Sequence, residues 1–410
     1  MGRLEQPLSR IDHALPERER CRGLPITAGS RYIPVSARVA VPLDQDSSPQ
    51  MSSRIDLRSD TATKPTAAMR RAMAEAEVGD DMLAEDPTVN RLEQRICELL
   101  GKEAAVFACS GTQSNQMGVR VHCQPGDELL IDHTGHVANY EQGAPAALSG
   151  VTCRLLPGRN GLLDVPDLEG KIRADNQHFC RTRLVCLENT TNVGGGRVYP
   201  LAQVERICDW AHAQGLKVHL DGARMFNAVV AGGYSARELC AGIDTISICF
   251  SKGLGCPMGS ILVGTHEDIA RARRVRKLFG GALRQAGIVA AAALYALDHH
   301  IDRLREDHDN AQLFATRIEQ ISGIRVDASA VETNLVFFDV DPDCGQAGQL
   351  STKLSQKGVY INATGPQRLR ACTHLDISRE DALRAAEAIS ESMHEGLRSA
   401  ATAAAGPYSR

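Results

Sequence analysis

A lysine in a glycine-rich turn is the first residue of this chain whose surroundings suggest chemistry. Lys252 stands in the run SICFSKGLGCPMGSILVG, after one apolar, β-branched segment and before another. An amine attacks an aldehyde only when neutral, and partial desolvation lowers the pKa of a lysine toward that state. Its small neighbours Ser251 and Gly253 leave room for a cofactor ring near the backbone. This pattern predicts a Schiff-base lysine, although a lysine in a surface loop shares the same local pattern.

Two other strand ends carry complementary groups. Asp221 ends the apolar run in LKVHLDGARMFNA. A carboxylate in that position usually either caps the next helix or serves a site, because open α/β sheets bind ligands in that crevice. Such a carboxylate can keep the pyridine nitrogen of pyridoxal phosphate protonated. In AAVFACSGTQSN, Ser110, Gly111 and Thr112 open a predicted helix, whose first amides can bind a phosphate. Together these motifs predict a fold-type I pyridoxal-phosphate enzyme.

Motifs along roughly residues 54 to 395 resemble the low-specificity threonine aldolases of the β-eliminating lyase group. The resemblance implies a large, mostly parallel-sheet domain, a small C-terminal α/β domain and pyridoxal 5′-phosphate as cofactor. It also implies a lyase that cleaves a β-hydroxy-α-amino acid of threonine or allo-threonine type to glycine and an aldehyde. The matching segments are IDLRSDTATKPT, EVGDD, EDPTVNRLE, SGTQSNQ, HVANYE, LEN with GGGRVYPL, HLDGAR, FSKGLG, RQAG and RACTHLDI.

The resemblance also implies roles for individual residues. His136 is expected to stack on the pyridine ring and, with Lys252 and Asp221, to form the catalytic set. Arg284 is expected to bind the phosphate of a neighbouring subunit, which implies a homo-oligomer, a homotetramer arranged as a dimer of dimers. The expected cofactor-binding residues are Ser110, Gly111, Thr112, His136, Asp221, Arg224, Lys252 and Arg284.

The substrate is expected to be held by its carboxylate. Two guanidinium groups, Arg224 and Arg370, suit bidentate, charge-assisted bonds to it, and Ser59 resembles a third contact. Thr191 completes the expected substrate-binding set.

Two positions depart from the family pattern. Members commonly have a histidine in ENTH, associated with the β-hydroxyl of the substrate, whereas LENTTN places Thr191 there. Threonine is not a base near neutral pH, and loss of a general base costs about 10²- to 10⁴-fold. Slow threonine cleavage, or preference for another β-substituent, is therefore expected, with a gain in Thr191→His. Leu83 and Ala84 also replace the usual Tyr-Gly before the acidic pair.

Three functions are compatible with these observations. The leading hypothesis is the aldolase, and the second is a pyridoxal-phosphate-dependent racemase or β-eliminating lyase, which needs no histidine at position 191. The third is a non-catalytic relative or a nucleotide-binding protein. No GxGxxG or GxxxxGK run supports nucleotide binding. The presence of Lys252, Asp221 and the two arginines Arg224 and Arg370 argues against a non-catalytic relative.

Composition indicates a cytoplasmic metabolic enzyme with a small-molecule amino-acid substrate. A net charge of −4 with interspersed signs points to neither nucleic acid nor membrane. The 13 cysteines lie mostly in apolar runs without a CxxC pair or a His/Cys metal cluster, so a reduced chain with no metal is expected. Residues 286–297 are too short to span a bilayer and predict a buried helix.

The length of 410 residues favours more than one domain. Residues 1–53 lack periodicity and predict a disordered extension or a true start at Met51, 54–300 a large cofactor-binding domain, 301–395 a small domain and 396–410 a tail. Strands alternating with helical patterns predict a mostly parallel sheet whose last two strands are antiparallel. The predicted strands are 104–109, 128–132, 151–156, 183–188, 217–221, 245–250 and 260–263. A helical stretch at 286–313 precedes a second α/β pattern with strands at 324–326, 333–340, 359–362 and 369–373 and helices near 349–357 and from 378.

Overall fold

The computed structural model describes residues 54–397. The predicted extension 1–53 and nearly all of the predicted tail 396–410 lie outside this range. Within it, no helix combines the length and apolar character needed to cross a membrane.

A seven-stranded sheet forms the centre of the described chain, in the order β2-β8-β7-β6-β5-β3-β4. A four-stranded antiparallel sheet, β12-β13-β10-β9, and a parallel pair, β1-β11, lie in or against the C-terminal part. The strands are β1 Ile55–Asp56, β2 Ala104–Ala108, β3 Asp127–Asp132, β4 Thr152–Leu156, β5 Arg181–Glu188, β6 Lys217–Gly222, β7 Thr245–Cys249, β8 Ser260–Gly264, β9 Ile324–Arg325, β10 Leu335–Val340, β11 Val359–Tyr360, β12 Asn362–Ala363 and β13 Arg368–Cys372.

Helices cover the sheets, and capping residues mark where they begin and end. The second helix, for example, begins at Pro87 after the side-chain cap Asp86 and ends at Leu100, and the C-cap Gly101 has a φ of +68° that suits glycine. The helices are α1 Ala67–Ala74, α2 Pro87–Leu100, α3 Gly111–His122, α4 His136–Asn139, α5 Ala144–Ser149, α6 Val165–Leu168, α7 Leu201–Ala213, α8 Met225–Gly232, α9 Ala236–Cys240, α10 His266–Leu278, α11 Gly287–His299, α12 Leu304–Ile318, α13 Ala347–Gln356 and α14 Arg379–His394.

The central sheet matches the predicted strands closely. Every predicted strand of this sheet is present, because each is a short apolar run bounded by turn residues. β7 and β8 are antiparallel, as the short connection between them predicted. β8 is also antiparallel to β2, so β2, β7 and β6 run in the same direction.

Two sequence predictions in the C-terminal half were wrong. The helical stretch 286–313 is two helices, α11 and α12, separated by a turn in which the buried ring of His300 contacts the carbonyl of Leu254 at 2.7 Å. The strand at 359–362 is likewise two strands in different sheets. The carbonyl between them, that of Ile361, accepts the hydroxyl of Ser351 at 2.7 Å. In both cases the break carries a hydrogen bond to a residue outside the two elements that it separates.

The described residues contain two large apolar cores. The first surrounds the central sheet and includes much of α11, so the predicted buried helix at 286–297 is confirmed. The second lies among α12, α13, α14 and the four-stranded sheet, and it includes Ile55 and Leu57 from the start of the described chain. The division into domains 54–300 and 301–395 stays a prediction.

Candidate active site

Three of the predicted site residues lie at or just after the carboxyl ends of strands of the central sheet. Ser110 follows β2, Asp221 lies near the end of β6 and Lys252 follows β7. Because these strands run in the same direction, their carboxyl ends share an edge, which is where open α/β sheets bind ligands. The fold therefore brings the three sequence motifs together.

Lys252 lies in a turn that is held from two sides. Gly255 donates its N–H to the carbonyl of Lys252 at 2.8 Å, and its φ of +77° suits glycine. Thr63, from the N-terminal segment, donates its hydroxyl to the same carbonyl at 2.9 Å. The side chain is half-buried, and its positive charge is close enough to act on the pKa of both Asp60 and His136.

Asp221 presents a buried, hydrogen-bonded carboxylate. Its Oδ2 accepts the side-chain amide of Asn115 at 2.9 Å, and its Oδ1 accepts the N–H of Ala223 at 3.1 Å. The carboxylate therefore suits a cationic or protonated partner.

His136, the first residue of α4, is oriented by two carboxylates. Its Nδ1 lies 2.9 Å from Oε1 of Glu141, and its backbone N–H donates to Glu188 at 2.6 Å. Burial alone would lower the pKa of His136, but the hydrogen bond to Glu141 and the charge of Asp221 outweigh burial and raise it. The ring is thus fixed and carries a proton more readily than a free histidine.

His136, Glu141 and Asp221 also resemble a metal site, because their ligand atoms lie within 4.8 Å of one another. The amide nitrogen of Asn115 donates to both carboxylates, at 2.8 Å to Glu141 and 2.9 Å to Asp221. The amide of Asn115 thus supplies the hydrogen bonds that the two carboxylates require. We therefore interpret His136, Glu141 and Asp221 as a hydrogen-bonded cluster rather than a metal site.

The turn after β2 has the form expected of an anion site. Ser110 caps α3, and its hydroxyl accepts the N–H of Gln113 at 3.2 Å. Gly111 is required for packing, since an added Cβ would lie 2.4 Å from Sγ of Cys249, just before the lysine turn. Thr112 follows, half-buried, in the first turn of this twelve-residue helix, where the N–H groups and helix dipole favour a negative ligand.

Arg224 pairs with a carboxylate that the sequence analysis did not select. Its Nε and Nη2 donate to the two oxygens of Asp60 at 2.7 and 2.8 Å. The pair is deeply buried, at 0% exposure for Asp60 and 4% for Arg224. Burial would raise the pKa of Asp60, but Arg224 outweighs it, with help from Lys252 and Arg370, and holds the pKa far below its usual range. The guanidinium group of Arg224, which was expected to bind the substrate carboxylate, thus donates to Asp60.

Arg370 reaches the site from β13, as its predicted role requires. It is 1% exposed, and its Nη1 donates to Oδ1 of Asn192 at 2.8 Å while its Nη2 donates to the carbonyl of Arg58 at 3.0 Å. Ser59, the next residue, caps the short helix Asp60–Ala62 with its hydroxyl. Arg370 and Ser59 are thus adjacent, and Asn192 joins them as a polar side chain that the sequence analysis missed.

The loop after β5 holds Thr191 in a packed position. Its hydroxyl accepts the N–H of Arg197 at 3.1 Å, and its Cβ lies 3.0 Å from where a Cβ on Gly161 would stand. Its 1% exposure leaves little space for a larger side chain. Nearby, Glu188 accepts the N–H groups of His136 and Asn192, each at 2.6 Å. Burial and the charge of Asp221 raise the pKa of Glu188.

Arg284 lies outside this cluster of contacts. Its Nη1 donates to Asp80 at 2.9 Å, and its side chain is 60% exposed. Leu83, one of the two departures from the family pattern, is 66% exposed in the short helix that follows Asp80. An exposed arginine beside an exposed leucine is compatible with a role toward another subunit.

Sequence reasoning therefore missed the residues that support the predicted ones. Asp60 and Glu141 lie in quoted motifs, RSDT and HVANYE, but neither acid was given a role there. The partner of Asp60 is 164 residues away, whereas that of Glu141 is His136 in the same motif. Asn115 in SGTQSN carries only a helical position as a signal. The available signal was an acid or an amide inside a recognised motif that had been given no role.

Comparison with known proteins gives concordant results. The β-eliminating lyase family matches residues 56–343. A probable low-specificity L-threonine aldolase 2 from Arabidopsis thaliana is 41% identical over 333 residues, which are 80% of this chain and 94% of that protein. A low specificity L-threonine aldolase from Escherichia coli O157:H7 is 43% identical over 327 residues, 80% of this chain and 95% of that protein.

Solved structures share the fold. A putative L-allo-threonine aldolase from Listeria monocytogenes aligns with a TM-score of 0.69 at 21% identity, over 82% of this chain and 96% of that one. A serine palmitoyltransferase from S. paucimobilis with bound PLP aligns with a TM-score of 0.66 at 19% identity, over 82% and 87%. The predicted fold class is confirmed.

Proposed function

Because the chain belongs to the low-specificity threonine aldolases of the β-eliminating lyase family, we propose that it cleaves a β-hydroxy-α-amino acid to glycine and an aldehyde. Pyridoxal 5′-phosphate is the cofactor, and the substrate is of threonine or allo-threonine type. The observation that carries this proposal is the meeting of Lys252, Asp221 and the capped turn at Ser110 on one edge of the sheet.

The residues at this edge suit the cofactor chemically. Lys252 supplies the amine for covalent attachment, and the buried carboxylate of Asp221 suits the protonated ring nitrogen. His136 is fixed beside them for contact with the ring face, and the N-terminus of α3 suits the phosphate. When bound, the cofactor withdraws the electrons left on Cα as the Cα–Cβ bond breaks.

The protein groups position the substrate and move its proton. Arg370, with Ser59 and Asn192 beside it, binds the carboxylate and sets which Cα bond can break. Arg224, held by Asp60, contributes positive charge to the same region. At a pH above the raised pKa of His136 the ring is neutral, with the proton on Nδ1 directed toward Glu141, and Nε2 can accept the proton of the β-hydroxyl.

Thr191 bears on the rate with threonine. Its hydroxyl is engaged with Arg197, and Gly161 and Gly194 crowd it, so a histidine at 191 requires the loop to move. Thr191→His is consequently a weaker test of function than the sequence suggested. The missing base favours slow cleavage of threonine, and it keeps racemisation or β-elimination as the second candidate.

Product analysis tests the function directly. The purified protein is incubated with threonine, allo-threonine, other β-hydroxy amino acids, alanine and serine. We expect glycine and an aldehyde in equal amounts from the β-hydroxy substrates that react. Inversion at Cα, or an α-keto acid as the main product, would instead establish the racemase or the β-eliminating lyase.

Replacing Arg370 tests the carboxylate site. A hydrogen bond to a charged group contributes about 1.5 to 3 kcal/mol, so Arg370→Ala is expected to raise KM about 10- to 150-fold. The bound cofactor should keep its visible absorbance, because Arg370 contacts Asn192 and Arg58 rather than the capped turn. Steady-state kinetics and a spectrum measure both effects. Arg368→Ala, two residues away in an exposed ion pair with Asp339, is the control and should change neither. Loss of cofactor with unchanged KM would make Arg370 a phosphate or packing residue.

Assembly and location belong to the same proposal. A homotetramer, arranged as a dimer of dimers, brings Arg284 to the phosphate of a neighbouring copy. The exposed Leu83, Leu278 and Ile288, in or beside the segments that flank Asp80 and Arg284, support a covered surface there. A cytoplasmic location accords with cysteines used as small core residues.

A further inference from the structure

We propose that His219 and Asn115 are positioning residues that hold Asp221 as an ionised hydrogen-bond acceptor for the cofactor ring. This inference rests on the proposed cofactor. His219 fixes the side-chain amide of Asn115 in the one orientation in which its N–H groups donate to Asp221 and Glu141.

Strand and helix geometry bring these groups together. His219 and Asp221 are two residues apart in β6, so their side chains point to the same face of the sheet. Asn115 lies on α3, which packs on that face. His219 and Asn115 are both buried, and neither is exposed to bulk water as an alternative partner.

The amide of Asn115 contacts three groups. Its Nδ2 donates to Oδ2 of Asp221 at 2.9 Å and to Oε1 of Glu141 at 2.8 Å. Its Oδ1 lies 3.2 Å from Nε2 of His219. Two carboxylates demand the NH₂ end, so the oxygen must face the imidazole and Nε2 must carry a hydrogen. A rotation of the amide by 180° would aim an oxygen at two carboxylates and an NH₂ at an N–H.

The tautomer of His219 is fixed from its other side. Burial lowers the pKa of His219 to about 4, so the ring is neutral, and a hydrogen on Nε2 leaves a lone pair on Nδ1. Thr245, the neighbour of His219 across β6 and β7, lies with its hydroxyl 2.9 Å from Nδ1 and donates to it. The Thr245 oxygen in turn accepts Nε2–H of His122, also at 2.9 Å. The hydrogen bonds that link His122, Thr245, His219, Asn115 and Asp221 therefore all run in one direction, with each donor on the side away from the Asp221 carboxylate.

Gly118 of α3 leaves space for the imidazole ring of His219. An added Cβ on Gly118 would lie 2.4 Å from Cε1 and 2.5 Å from Nδ1 of His219. Gly118 is three residues after Asn115, on the same side of α3. A glycine in the middle of a helix is destabilising relative to alanine. Its presence here accommodates the imidazole.

Asn115 consequently couples two parts of the site. Through Asp221 it acts on the ring nitrogen, and through Glu141 it acts on the orientation of His136. Loss of the lock at His219 should therefore weaken cofactor binding and shift the ring nitrogen toward its unprotonated form. A residue that merely fills space would not change that protonation.

The test compares His219→Leu, His219→Gln and Thr245→Val in the full-length protein. Pyridoxal 5′-phosphate labelled with ¹⁵N in the ring is bound to each apo protein, and the dissociation constant and ¹⁵N chemical shift are measured. We expect His219→Leu to bind about 10- to 100-fold more weakly, since bonds to two charged groups are disturbed, with a shift toward unprotonated nitrogen. In His219→Gln the side-chain NH₂ can still donate to Asn115, and both readouts should stay near wild type. Thr245→Val should move both in the same direction as His219→Leu, by less.

Each outcome decides the proposal. Wild-type affinity and chemical shift in folded His219→Leu would overturn it, as would equal defects in folded His219→Leu and His219→Gln. If His219→Leu does not fold, unchanged readouts in Thr245→Val overturn it and a shifted nitrogen in Thr245→Val supports it. A wild-type protein that releases aldehyde but holds an unprotonated ring nitrogen overturns the lock and leaves the aldolase intact. A wild-type protein that binds no cofactor overturns the proposed function itself.

Discussion

Lys252→Ala is expected to remove covalent cofactor binding and to lower the rate of aldol cleavage. Loss of a proton-transfer group alone lowers a rate about 10²- to 10⁴-fold. Loss of the nucleophilic amine should lower the rate further. Purified wild-type protein should be yellow, and borohydride reduction should fix the cofactor to the single peptide that contains Lys252. The variant should show neither property after reduction and peptide mass analysis.

Lys217→Ala provides the matched control for Lys252. Lys217 begins the strand that carries Asp221, but its side chain is exposed and pairs with Asp244 at 2.8 Å. Its loss should leave colour, labelling and rate unchanged. Labelling of any other lysine in wild-type protein, or a covalent adduct that persists in Lys252→Ala, contradicts the assignment.

Asp60→Asn is expected to destabilise the protein by about 3–5 kcal/mol at neutral pH, because it leaves the buried guanidinium of Arg224 without its carboxylate. Urea unfolding followed by the fluorescence of Trp210, the single tryptophan, measures the change. Asp56→Asn is the control on the same segment. Asp56 pairs with the more exposed Arg54 and Arg58, so its loss should cost only about 1 kcal/mol or less.

The destabilisation should also depend on pH in a defined direction. The pKa of Asp60 is lowered in the folded protein, against about 3.9 in the unfolded chain. The stabilisation from its charge is therefore complete above the unfolded value and is lost as the pH falls toward the folded one. The difference in unfolding free energy between wild type and Asp60→Asn should shrink below about pH 4. A difference that stays constant down to pH 2.5 would show that Asp60 acts through packing rather than charge.

The sequence was sufficient where function depends on a short motif after a strand. Lys252, Asp221 and Ser110 each follow an apolar run, and parallel strands oblige their ends to meet. It was insufficient for pairs joined across the chain. RSDT drew attention to Ser59, whereas its neighbour Asp60 holds Arg224, 164 residues away. At the break between α11 and α12, likewise, His300 contacts Leu254, 46 residues away, and no local pattern predicts that contact.

The short segment after β1 has a consequence for biosynthesis. Arg58, Asp60 and Thr63 contact Arg370, Arg224 and Lys252, and the first of these contacts joins residues 312 positions apart. At about 5–20 residues per second, a ribosome needs roughly 15 to 60 seconds to add that length. Until Arg224 has been added, 164 residues after Asp60, the Asp60 carboxylate lacks the arginine that it pairs with in the folded protein and stays solvated. The active site is thus completed among the last parts of the protein, after the central sheet has had time to form.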